Sequence, residues 1–208
     1  MASRGRPARL TRDGIIDAAE TVVRADGIGA LSMRRVAREL DCSPMALYRH
    51  VADFDDLLRC LLDHIAHTLP RPQASDDPRR TVVRVLTITH DWLVSHPWAI
   101  DVMPAHRLGW SVAWIVDDVL AAFLSAGLAP SAAAHAYEVV WHHLVGELSS
   151  RHSRQATTAV QPARSDPHGP VTAPPTIMSL APQLAAARAH DQYLRGLTAL
   201  LNGLLPPR

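Results

Sequence analysis

Leu31-Ser32-Met33-Arg34-Arg35-Val36-Ala37-Arg38-Glu39-Leu40-Asp41-Cys42-Ser43-Pro44-Met45-Ala46-Leu47-Tyr48-Arg49-His50-Val51 is the stretch that decides the fold. Apolar residues at Val36, Ala37 and Leu40 recur at helical spacing after Ser32, a residue suited to the helix N-cap. A brief turn at Asp41-Cys42 leads to Ser43 as a second cap and Pro44 at the first helical position, where its missing N–H costs nothing. The second helix is short, Pro44 to His50, with Leu47 and Val51 on one side. Two short capped helices, each with a small apolar face and a tight turn between them, are what a helix-turn-helix requires. Burying Leu47 and Val51 leaves Met45, Ala46, Tyr48, Arg49 and His50 facing outward. A Tyr-Arg-His run serves a DNA-reading surface better than a merely soluble one.

Outward from this motif the spacing is helical throughout and no alternating β-branched run appears, so the expected fold is all-α. Helix one spans about 12–25 with Thr11 as N-cap, a stripe of Ile15, Ala18, Ala19 and Val22, and a stop at Asp26-Gly27. A fourth helix from about Asp53 carries Leu58, Leu61, Leu62, Ile65 and Leu69 and ends at Pro70. The polar, Pro-containing segment 70–77 marks a domain boundary, which gives a basic arm at 1–12, a helix-turn-helix domain at 13–69 and a second helical domain at 77–208. Asp77-Pro78 opens that domain; helices are expected at about 78–95, 98–103, 110–126, 131–150 and 180–205. Residues 151–178, with five prolines and many small polar residues, read as a loop.

The formal net charge of +1 conceals an asymmetry. Residues 1–12 carry Arg4, Arg6, Arg9 and Arg12 with no acid, whereas residues 13–50 carry five arginines against six acids. A basic arm is suited to phosphates, with flanking minor-groove contact as a further use. All 21 basic residues are arginine and spread over the chain, so arginine use as such reflects a compositional bias. Cys42 and Cys60 form no CxxC pair and read as core filler in a reducing compartment. No run of about twenty apolar residues is present to span a bilayer, and the N-terminus lacks a secretory apolar segment. A cytoplasmic, non-membrane protein is expected.

The order Ser32, Val36-Ala37, Leu40, Ser43, Ala46-Leu47-Tyr48, His50-Val51, Leu57-Leu58 resembles the N-terminal domain of TetR-family transcriptional regulators over residues 11–65. The remainder is similar in layout only. The resemblance implies an N-terminal three-helix DNA-binding domain, a C-terminal helical domain for ligand binding and dimerisation, and a homodimer on a near-palindromic double-stranded DNA operator. It further implies a repressor released by a small-molecule effector through helix four. By position, Arg34 would touch phosphate or a base, and Ser43, Pro44, Met45 and Ala46 would lead the recognition helix. Tyr48 and His50 would grip phosphates, and Arg49 would contact guanine or phosphate. Arg4 and Arg6 in the arm would reach the flanking DNA. One departure stands out: the family often places lysine near the start of helix four, and this chain has Phe54 among Asp53, Asp55 and Asp56. Those acids complement the positive end of a helix, and the arm is left to carry more of the electrostatic attraction.

All five tryptophans, Trp92, Trp98, Trp110, Trp114 and Trp141, lie between 92 and 141. By resemblance this region encloses the effector cavity, with aromatic walls of the kind such sites use; the other reading is that they fill a helical core. His143 and Glu147 share a helix face at i and i+4 and suit a ligand contact or a partner helix. They suit a metal less well, since the HExxH pattern and a nameable third ligand (His90 or His106) are both lacking. Asp117-Asp118 interrupt an apolar helix and face solvent or a ligand. No cofactor is expected. An enzyme would need a convergent nucleophile, base and oxyanion site, which no spacing suggests; a DNA-binding protein without a ligand is the other alternative.

Overall fold

The computed structural model describes residues 10–73, 75–102, 110–158, 174–186 and 192–206, and among them every regular element is helical. In order these are α1 (Arg12–Asp26), a 3-10 turn (Ile28–Ala30), α2 (Met33–Glu39), α3 (Pro44–Leu47), α4 (Phe54–Ala66), α5 (Pro78–Ser95) and α6 (Pro97–Val102). A 3-10 turn (Trp110–Val112), α7 (Ala113–Ser125), α8 (Pro130–Thr158), α9 (Pro175–Ala186) and α10 (Gln192–Leu204) follow. The chain forms two compact units, one of Met1–Pro70 with Trp98–Trp114 and one of Arg71–Pro97 with Ile115–Arg208.

In the first unit, caps set the helix starts. Thr11 accepts the Gly14 N–H at 3.1 Å, Ser32 accepts the Arg35 N–H at 3.1 Å and Asp53 accepts the Asp56 N–H at 2.7 Å. Each satisfies a backbone donor that the helix itself leaves unpaired. Gly27, at φ 80°, closes α1 in a region of backbone space that glycine enters without penalty. Asp41 holds φ 48° in the turn between α2 and α3, a conformation that aspartate tolerates better than most residues. Ile15, Ala19 and Val22 of α1, Val36 of α2, Leu47 of α3 and Leu57 and Leu61 of α4 are all fully buried. Each of the larger of these, valine, leucine or isoleucine, contributes about 1.5–3 kcal/mol through removal from water. The Trp110–Val112 turn joins this unit through Ser111, whose hydroxyl donates to Asp63 on α4.

The second unit is built on α5, α8 and α10, which pack on one another along complementary stripes. Val82, Val85, Leu86 and Leu93 of α5, Val140, Leu144 and Leu148 of α8, and Tyr193, Leu197 and Leu201 of α10 are all buried and form its core. Asp77 caps α5 by accepting the N–H groups of Arg79 and Arg80, with Pro78 at the first position.

Several expectations need correction. Helix three ends at Leu47, and residues 48–50 form a tightened turn in which the His50 N–H donates to the Leu47 carbonyl at 2.8 Å. The expected loop at 151–178 is helical at both ends. α8 continues to Thr158, because nothing in 151–158 breaks a helix before Pro162, and α9 begins at Pro175, where proline fits the first turn. Residues 159–173 lie outside the described part. Of the helix expected at 180–205 the described residues include the end of α9 and all of α10, and 187–191 lie outside them. Among the described residues no helix is long and apolar enough to cross a membrane.

Candidate nucleic-acid interface

α3 buries one side chain, Leu47, and Val51 follows it into the core at 2% exposure. The rest of this one-turn helix and its following turn is thereby presented. Met45 is 72% exposed and Tyr48 45% exposed, unusual values for large apolar or aromatic groups in a folded unit. Ser43 and Arg49 are exposed, and Pro44, Ala46 and His50 are half-buried. Ser43 stands at the N-cap, yet its hydroxyl makes no capping bond, which leaves that donor and acceptor for a partner.

On α2, Arg34 and Arg38 are exposed at i and i+4, on one side of the helix. Arg35 is held instead, by Glu39 at 2.6 Å and Asp26 at 3.1 Å, and both bonds raise its already high pKa. Among the described residues no ion pair involves Arg34, Arg38 or Arg49, whereas Arg35 is paired twice. Arg4 and Arg6 lie outside the described residues.

Behind α3 is a residue whose role sequence reasoning missed. Asp56, read from sequence only as a complement to the α4 terminus, is 7% exposed and accepts from three segments. Its Oδ2 accepts the Ala52 N–H at 2.9 Å; its Oδ1 accepts from Arg12 Nη2 at 3.2 Å and from Arg59 of α4. Arg12 Nη2 also lies 2.8 Å from the Cys60 sulfur. The Ala52 N–H foremost, then the two guanidinium groups, hold the Asp56 carboxyl below the ordinary aspartate value, although burial acts in the other sense. The one local signal was the Asp53-x-x-Asp56 spacing, a form of capping box.

In the second unit the expected contact residues take up interior roles. His143 of α8 directs Nε2 to the Tyr193 carbonyl at 3.0 Å and stacks on the Tyr193 ring at 5.3 Å. Glu147, one turn on, faces His90 Nε2 at 3.3 Å, and His90 also stacks on Tyr193, at 4.3 Å. The Tyr193 hydroxyl donates to the Leu86 carbonyl at 3.1 Å. Burial foremost, then Asp91 and Glu147, raises the Tyr193 pKa, so this phenol stays protonated. His143 and Glu147 thus each contact another helix of this unit, α10 and α5 respectively. Among the described residues no group of three or more His, Cys, Asp or Glu side chains is arranged to hold a metal ion.

The tryptophans are divided between the units. Trp92, stacked on His96 at 4.4 Å, and Trp141, stacked on Tyr137 at 6.1 Å, belong to the second. Trp98, Trp110 and Trp114 belong to the first. Asp118 is half-buried and accepts a bidentate pair from Arg71, at 2.7 and 3.2 Å, while Asp117 is exposed. Beside that pair lies a cleft of about 260 Å³ lined by residues that include Pro72, Thr81, Arg84, Val85 and Ala122.

Comparison with known proteins places both units. The description "Bacterial regulatory proteins, tetR family" matches residues 15–59, and "Tetracyclin repressor-like, C-terminal domain" matches residues 72–206. A protein named HTH-type transcriptional regulator from Saccharopolyspora erythraea is 30% identical over 162 residues, which cover 75% of this chain and 68% of that protein. The HTH-type transcriptional repressor DrrR1 of Streptomyces coeruleorubidus is 31% identical over 152 residues, 72% of this chain. The chain spans 56% of that longer relative. The crystal structure of apo ActR from Streptomyces coelicolor superposes with a TM-score of 0.75 at 25% identity, covering 95% of this chain and 96% of that one. The chain belongs to the TetR family of transcriptional regulators, whose members bind operator DNA as dimers and respond to ligands.

Proposed function

We propose that this protein is a repressor that binds a near-palindromic operator as a homodimer and is released by a small-molecule effector held in the second unit. The observation that carries this reading is the exposed Met45-Tyr48-Arg49 surface seated on a fully buried Leu47. One turn of helix contacts few base pairs, so two copies on one duplex are needed for useful specificity, and twofold protein symmetry calls for inverted half-sites. Met45 offers its methyl group to a thymine methyl, Arg49 its fork to guanine, and Tyr48, His50, Ser43 and Arg34 bind phosphate; Pro44 and Ala46 permit close approach. Arg4 and Arg6 add electrostatic attraction from the arm. Trp92 and Trp141 line the effector-binding interior, and His143 and Glu147 shape it. The repressor sense follows the name of the Streptomyces coeruleorubidus relative. Action is by binding rather than catalysis, in the cytoplasm beside the chromosome.

The test begins with duplexes selected by the full-length protein from a random-sequence pool. Two inverted half-sites are expected among the recovered sequences, and a pool without enrichment contradicts the reading. Against the selected duplex, Arg49→Ala is expected to lose about 1–3 kcal/mol and to relax preference at one base position per half-site. Equal affinity for that variant removes Arg49 from the set of base-reading residues.

A further inference from the structure

The proposed reading gives DNA two points of attachment on this unit, the arm that ends at Arg12 and the segment that ends at Val51. One buried carboxylate touches the roots of both. Asp56 accepts the backbone N–H of Ala52, the residue directly after Val51, and binds the guanidinium of Arg12, the first residue of α1. Arg59 and the Cys60 thiol complete its surroundings, so its lone pairs are fully occupied. The Arg12 side chain is half exposed while that of Asp56 is 10% exposed. The pair is therefore a fixed point on one side and a solvent-facing cation on the other.

We infer that Asp56 is a positioning residue for operator binding: it couples the root of the basic arm to the turn that closes the recognition segment, so that both meet the duplex in one register. The inference rests on the proposed DNA-binding reading. It goes beyond a packing role because it assigns a charge on α4 to contacts made elsewhere. Arg12 is bound to Asp56 through Nη2 alone, so its remaining N–H edges keep their orientation without being occupied by the carboxylate. The neighbouring Asp53 carboxylate is engaged elsewhere, capping α4 at the Asp56 N–H.

The test is the salt dependence of binding to the selected duplex, measured on full-length variants together with thermal denaturation. Asp56→Asn keeps an acceptor for the Ala52 N–H and removes the charge that holds Arg12. It is expected to weaken binding about 10-fold at moderate salt and to flatten the slope of log K against log salt by about one to two, as arm contacts with phosphate are lost. Arg12→Ala is expected to act in the same direction, and the double variant to be no weaker than the worse single variant, since both cut one connection. Asp56→Glu is expected to restore the slope. A folding role alone lowers Tm and leaves the slope unchanged; that result, or additive losses in the double variant, overturns the proposal. Should deletion of residues 1–10 leave the slope intact, the arm is idle and the proposal fails, while the Arg49 result still stands. Loss of the Arg49 effect with an intact Asp56 effect overturns the base-reading assignment instead.

Discussion

Leu47→Ala is expected to cost about 2–5 kcal/mol and to abolish operator binding at temperatures where the wild-type protein is fully active. Leu47 is the one buried side chain of α3 and has no exposed surface. A four-residue helix has almost no stability of its own, because nucleation fixes several residues for few hydrogen bonds. Its orientation therefore depends on this one anchor and on Val51 after it. Removing the anchor leaves a cavity in a core that also buries Val36 and Leu57, and the local structure cannot close it without moving the surface that Leu47 supports. Thermal denaturation followed by circular dichroism should show a Tm lower by roughly 4–20 °C for a chain of this size. A variant with unchanged stability and unchanged operator affinity contradicts the anchored-helix account.

The second large effect is expected at Gly196 on α10. A Cβ placed there overlaps Cε1 of the His143 ring and lies 2.7 Å from its Nε2. The ring cannot swing aside cheaply, because it is bound to the Tyr193 carbonyl and stacked on the Tyr193 ring. Gly196→Ala should destabilise the second unit through overpacking by about 1–3 kcal/mol. Helix propensity offsets this by about 1 kcal/mol in favour of alanine, and net destabilisation is expected because His143 is held in place. Combining it with His143→Ala provides the decisive comparison. With the ring gone the new methyl group has room, and the double variant is expected to be more stable than Gly196→Ala alone. A stabilised single variant, or a double variant less stable than that single one, contradicts the packing described for α8 against α10.

Local chemistry made much of the first unit legible in the sequence. The Thr11, Ser32 and Asp77 caps, the Gly27 stop and the apolar spacing of α1 and α2 act within a few residues of themselves, and a linear reading captures such effects. The ends of α3 and α8 were harder. The tightened turn at 48–50 is set by the packing of Leu47 and Val51, and the extension of α8 to Thr158 through polar residues is carried by the turns before it. The pairing of Asp56 with Arg12 and of His143 with Gly196 joins positions 44 and 53 residues apart, for which no periodicity exists.

The central claim is that the outer side of residues 43–50 faces double-stranded DNA. Site-specific photo-crosslinking addresses it with least inference, using a benzophenone-bearing analogue of phenylalanine in place of Met45. The same analogue in place of Met178, an equally prominent side chain on α9 at 63% exposure, serves as the control. Irradiation of each protein with the selected duplex is expected to attach position 45 to bases inside a half-site and to leave position 178 unattached. A crosslink from position 178 alone, or none from position 45 under conditions of saturated binding, would contradict the account.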